Sequence, residues 1–167
     1  MKPQNFLRII DEGLRVLANI GGPAPTDDVR RFLLCIALQE SGPELSARYQ
    51  NSPSSTPGAA KGFFQFEAGG GCRGVLTNQA TETLAKQLCE ECAVLAEQSA
   101  VWRALEGHDL LAVGFARLLV YSDASPLPQN EQEGWAYYMR TWRPGRPDPD
   151  RWTANWAQAD ATLREST

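Results

Sequence analysis

Long apolar runs and basic runs are what this chain lacks, and it has a single histidine. Its 167 residues carry a net charge of −4 without any cluster of Lys and Arg. That argues against nucleic acid as a partner, because binding a phosphate backbone takes a concentrated positive surface. The longest apolar stretch, residues 110–121, is interrupted by Arg117 and falls short of the roughly 20 residues a membrane span takes. The opening Met1-Lys2-Pro3-Gln4-Asn5-Phe6-Leu7-Arg8 has no unbroken apolar core of the secretory kind. The expectation is a protein made in the cytoplasm with reduced thiols.

Cysteine is sparse too, at positions 35, 72, 89 and 92. Cys35 falls on the flank of an apolar helix and reads as a small buried side chain. Cys89 and Cys92 form one Cys-x-x-Cys pair, with Cys72 and the single histidine, His108, as conceivable further zinc ligands. No second such pair exists and the spacing fits no common zinc module, so neither metal nor cofactor is expected. A zinc-stapled helical adaptor is the reading this sets aside. There is no internal repeat.

What is present points to one mainly α domain, 1–167, with 43% hydrophobic residues and length enough for a sizeable core. Residues 3–20 carry Phe6, Ile10, Leu14 and Leu17 on one stripe and predict a first helix, ended by Gly21-Gly22-Pro23. Residues 44–49 read as a short helical turn and 51–58 as a polar, mobile loop. Gly62-Phe63-Phe64-Gln65-Phe66-Glu67, followed by Gly69-Gly70-Gly71, breaks the helical period and predicts a small extended element. Alternation there sets Phe64 and Phe66 on one face, with Phe63, Gln65 and Glu67 on the other. Further helices are expected over 81–97, with Leu84, Leu88 and Leu95 inward, and over 110–121, the central buried helix, capped by Asp109. Its Arg117 needs an acidic partner, Glu67, Asp123 or Glu40, or a wet cleft. Asn130 with Glu133 forms a capping box for a helix to about residue 142, with Trp135, Tyr138, Met139 and Trp142 inward. Asp148-Pro149-Asp150 starts the last helix, whose Trp152 and Trp156 read as core in preference to sugar platforms.

The helix over 26–41 matters most. Thr26 can cap it, Asp27 and Asp28 suit the positive end of its dipole, and Gly42-Pro43 stops it. Val29, Phe32, Leu33, Ile36 and Ala37 share one face, and the next position on that face is Glu40. Partial desolvation and the negative end of the dipole both raise the pKa of a carboxyl placed there, as a general acid at neutral pH requires. A semi-buried Glu paired with an Arg is the other reading of the same spacing.

Ala37-Leu38-Gln39-Glu40-Ser41, followed some twenty residues later by Gly62-Phe63-Phe64-Gln65, resembles the lytic transglycosylases of the lysozyme superfamily, in which a helix ends in Glu-Ser and a Gly-Leu-Met-Gln turn follows. The longer set is similar to phage-encoded, lysozyme-like proteins. It comprises Gln39-Glu40-Ser41, Ala60-Lys61-Gly62-Phe63-Phe64-Gln65-Phe66-Glu67 with Gly69-Gly70-Gly71, and Trp142-Arg143-Pro144-Gly145-Arg146-Pro147. The resemblance spans most of the chain, from Thr26 to about Trp156.

It implies a lysozyme-like domain that cleaves the β-1,4 bond between N-acetylmuramic acid and N-acetylglucosamine in peptidoglycan, with Glu40 as general acid and base. Ser41 would orient Glu40 or the departing sugar, and Gln65 would hydrogen-bond the glycan. A hydrolase would add a second carboxylate, for which Glu67 and Asp123 are the candidates. The family's later Ala-x-Asn-Tyr signature is missing. Ala112-Val113-Gly114-Phe115-Ala116-Arg117 stands there, leaving Tyr121 as the candidate for the tyrosine beside the acid. The implied partners are peptidoglycan strands, reached through a holin or from the virion. The alternative is a non-catalytic virion or tail protein that keeps the fold to dock on other virion proteins or to bind glycan.

Overall fold

The computed structural model of this chain describes residues 1–46 and 58–166. Half of the short turn expected over 44–49 lies outside them, and the loop expected over 51–58 almost wholly so. The described residues are mainly helical with one two-stranded sheet. In order they form α1 (Pro3–Asn19), α2 (Asp27–Ser41), β1 (Ala60–Lys61), β2 (Phe66–Glu67), α3 (Arg73–Thr77) and α4 (Glu82–Glu91). After these come α5 (Gln98–Ala104), α6 (Asp109–Tyr121), α7 (Glu131–Thr141) and α8 (Pro149–Glu165). An irregular wide turn, Ala68–Cys72, joins β2 to α3.

Helix α2 runs through the middle, packed against α1, α6 and α8. The Thr26 hydroxyl accepts from the Val29 N–H at its start, and Gly42, at φ +85°, turns the chain away at its end. Burial goes well beyond the single face read from the spacing. Leu34, Cys35 and Leu38 are as hidden as Phe32 and Ile36, because α8 covers the flank that an isolated α2 would leave wet. Helix α6, apolar all round, is the second buried axis, and His108 caps it in place of the expected Asp109, its Nδ1 accepting from Leu111 N–H at 3.3 Å. Trp152 and Trp156 are core residues, with Trp152 stacked on Tyr138 at 4.9 Å.

Two elements differ from their sequence reading. The helix expected over 81–97 stops at Glu91 and the chain turns at Ala93 with φ +52°, so Leu95 is 69% exposed instead of inward. The run from Gly62 to Glu67 does not alternate. Only its last two residues form a strand, Phe66–Glu67, paired antiparallel with Ala60–Lys61. The tight turn between the strands buries Phe63 as well as Phe64 and Phe66. Phe63 and Phe64 pack on Phe6 of α1 at 4.6 and 6.0 Å, while Phe66 packs on Phe115 of α6 at 6.5 Å. Three aromatics thereby anchor a two-stranded ribbon too small to stand alone.

Gly62 makes that turn possible. Its φ is +73°, and a Cβ there would sit 2.3 Å from the Leu105 carbonyl oxygen. Strain and clash act together, so Gly62→Ala is expected to cost about 3 kcal/mol of stability in urea denaturation. A loss no larger than that of Gly69→Ala, where a Cβ meets nothing within 4 Å, would contradict this role for the turn.

Candidate active site

The last turn of α2, the hairpin and the start of α8 converge on a cleft of about 750 Å³. Gln39 and Glu40 come from α2, while Tyr138, Thr141 and Trp142 come from α7 and its end. Opposite them stand Gln65, Phe66 and Glu67 of the hairpin, with Gly70 and Gly71 beyond. Pro144, Gly145 and Arg146 form the lip, and Asp148 and Arg151 close the end.

Glu40 is the group around which these contacts gather. Burial pushes its carboxyl from an ordinary 4.5 up to about 7, with two opposing influences. One is a hydrogen bond in which the Tyr138 hydroxyl donates to Glu40 Oε1 at 2.6 Å, and the other is the positive charge of Arg151. Burial wins. Tyr138 is itself 2% exposed, its ring held between Trp152 at 4.9 Å and Trp142 at 6.4 Å, both near parallel. Desolvation and the neighbouring Glu40 raise its pKa well out of the ordinary range, so the hydroxyl keeps its proton and stays a donor.

The residues flanking Glu40 are tied to neighbouring elements. The Ser41 hydroxyl is 4% exposed and donates to the Phe63 carbonyl at 2.5 Å, tying the end of α2 to the hairpin turn. It therefore fixes the hairpin and does not orient Glu40 directly. The Trp142 indole donates to the next carbonyl, that of Phe64, at 3.0 Å. Gln65, at φ +49°, donates from its side-chain amide to the Gly62 carbonyl at 2.9 Å. Its amide oxygen and second N–H are left for the cleft. Gln39 is bound to α8, donating to the Asp148 carbonyl at 3.1 Å and accepting from Asn155 Nδ2 at 2.8 Å.

Of the candidate residues, Glu40, Gln65 and Glu67 thus line one cleft, with Ser41 buried behind them. Tyr121 does not join them. It is 46% exposed, and its ring faces Arg117 at 5.8 Å. The tyrosine beside the carboxyl is Tyr138, which the sequence marked only as one inward residue of α7. Asp123 is also elsewhere. Arg140 donates to it at 2.7 Å and the Ser125 N–H at 2.8 Å, and the Arg140 guanidinium above all holds its carboxyl at about 2. Arg117 pairs with none of Glu40, Glu67 or Asp123. It is 6% exposed beside Tyr121 and Tyr137, burial lowers its pKa, and its Nε has no partner among the described residues. Arg151 and Arg146 line the cleft as well, and the one mark of Arg151 in the sequence is its place in the first turn of the helix that Asp148 caps.

Comparison with protein-family models, curated proteins and solved structures gives no match. The chemistry therefore rests on the residues themselves. Among the described residues no group of three His, Cys, Asp or Glu side chains is placed to hold a metal, and His108 is turned back onto its own helix.

A raised carboxyl pKa is also a statement about stability. Below about 4.5 Glu40 is protonated folded and unfolded. Between 4.5 and 7 only the folded state holds the proton, so stability falls as pH rises through this window. Glu40→Gln is therefore expected to be more stable than the native chain above pH 7, by on the order of 2–3 kcal/mol. The difference shrinks towards pH 4, as read by thermal melts across that range. A difference independent of pH would refute the buried, proton-holding carboxyl.

Proposed function

We propose that this protein is a peptidoglycan-cleaving glycosidase of the lytic transglycosylase kind, with Glu40 as its single general acid and base. The observation that carries the proposal is a carboxyl at the wall of a glycan-sized cleft, shifted to about 7 by burial and held by an unionisable donor, Tyr138. A group of that acidity both holds a proton and releases it near neutral pH. The resemblance of Gln39-Glu40-Ser41 and Gly62-Phe63-Phe64-Gln65 to the lysozyme superfamily supplies the bond: β-1,4 between N-acetylmuramic acid and N-acetylglucosamine.

In the proposed reaction protonated Glu40 gives its proton to the glycosidic oxygen as the bond to the muramoyl C1 breaks. The carboxylate left behind takes the proton of the C6 hydroxyl, whose oxygen closes on C1 to give a 1,6-anhydro end. The Tyr138 hydroxyl keeps the carboxyl oriented through both transfers. Gln65 offers a carbonyl and an N–H to the sugar amides or hydroxyls. A hydrolytic route needs a second carboxylate across the cleft. Asp123 is engaged elsewhere and the Asp148 carboxylate caps α8, which leaves Glu67. The balance of available groups favours the intramolecular route.

Digestion of purified peptidoglycan, with products read by mass spectrometry, tests this. The native protein is expected to release anhydromuropeptides, and Glu40→Gln to lose at least about a hundredfold in rate. Reducing ends would replace the transglycosylase with a hydrolase using Glu67. No release from several peptidoglycan types would favour the non-catalytic virion protein. The rate is also expected to fall as pH rises above about 7, where Glu40 loses its proton.

A further inference from the structure

We propose that Arg151 is a positioning residue for Glu40: from the first turn of α8 its guanidinium grips the last turn of α2 and sets a fixed positive charge beside the carboxyl. The inference rests on Glu40 being the general acid. It starts from something α2 does not carry. No basic residue occupies its last turn, so nothing in its own sequence answers the negative end of its dipole, where Glu40 stands.

Helix α8 supplies the missing cation. Arg151 Nη2 donates to the Leu38 carbonyl at 3.0 Å, an oxygen that already accepts the Gly42 N–H at 3.1 Å. Gly42 itself lies against the guanidinium: a Cβ there would be in ordinary contact with the same nitrogen, at 3.6 Å. Two further bonds of Gln39 complete the grip: it accepts from Asn155 Nδ2 and donates to the Asp148 carbonyl. Three consecutive residues of α2 are thus engaged from neighbouring helices, Leu38 and Gln39 by α8 and Glu40 by Tyr138 of α7.

The grip has an electrostatic consequence as well as a mechanical one. Around Glu40, α7 presents the Tyr138 hydroxyl, the hairpin presents Glu67, the lip presents Arg146, and α8 presents Arg151 and Asp148. The Asp148 carboxylate is turned onto the N–H of Arg151 at 3.0 Å. Arg151 is the charged group that draws the Glu40 pKa down against burial. Without it the carboxyl would hold its proton more firmly, and the second half-reaction would begin from a scarcer carboxylate.

Carboxyl carbon-13 NMR on glutamate-labelled protein reads the Glu40 midpoint with no substrate present. Arg151→Gln keeps a donor for the Leu38 carbonyl and Arg151→Met keeps only the stem, so either serves if the other folds poorly. Both are expected to move the midpoint upward by roughly one pH unit, and Arg151→Lys to restore most of it. Asn155→Ala loosens the same grip without removing charge, and should lower the melting temperature while leaving the midpoint in place. In peptidoglycan digestion the alkaline limb of the rate profile should follow the midpoint. An unchanged midpoint in the uncharged variants would overturn the inference, as would an equal shift in Asn155→Ala. Failure of the native protein to cleave peptidoglycan would sink the glycosidase reading and leave the titration result standing.

Discussion

One carboxyl held partly out of water at the end of a buried helix is the constraint on which the rest of this molecule depends. Alone, a carboxyl at the C-terminal end of α2 would be among the least favourable placements a helix offers, since both burial and the dipole oppose its charge. The surrounding structure answers that cost at three points. Tyr138 donates to the carboxyl, Arg151 supplies a cation to the helix end, and Ser41 ties that end to the hairpin that forms the opposite wall. The cleft is the space these three contacts leave open.

The aromatic residues give that arrangement its stiffness. Trp152, Tyr138 and Trp142 stack in sequence from the core to the cleft wall. The donor to Glu40 is therefore one ring in a packed column. Trp142 also donates to the hairpin carbonyl next to the one Ser41 holds. Movement of α7, α8 or the hairpin would thus displace the hydroxyl from the carboxyl. Precise placement of a proton donor is worth more to catalysis than its mere presence.

Local patterns carried much of this, and long-range ones did not. The caps at Thr26, Asn130 and Asp148 are short-range devices written in a few consecutive residues, and each forms as read. The inward face of α2 carried Glu40 into the interior because helical period alone decides that. The choice between Tyr121 and Tyr138 depends on α7 packing against α8 and the end of α2, and nothing local encodes it. Likewise the three phenylalanines of the hairpin defeat a period-of-two reading, because a tight turn buries residues on both of its sides. Arg151 looks like an ordinary charge in the first turn of a helix until α2 is seen packed against it. Asp123 was drawn off by Arg140, seventeen residues away in sequence.

The most direct test of this account is the titration of the Glu40 carboxyl in the native protein, followed by carbon-13 NMR from pH 3 to 9. The account predicts a midpoint near 7, well above the ordinary 4.5. A midpoint at or below 4.5 would mean an ionised, well-solvated or ion-paired glutamate at neutral pH. Glu40 would then be a structural residue, with no proton to offer a glycosidic bond.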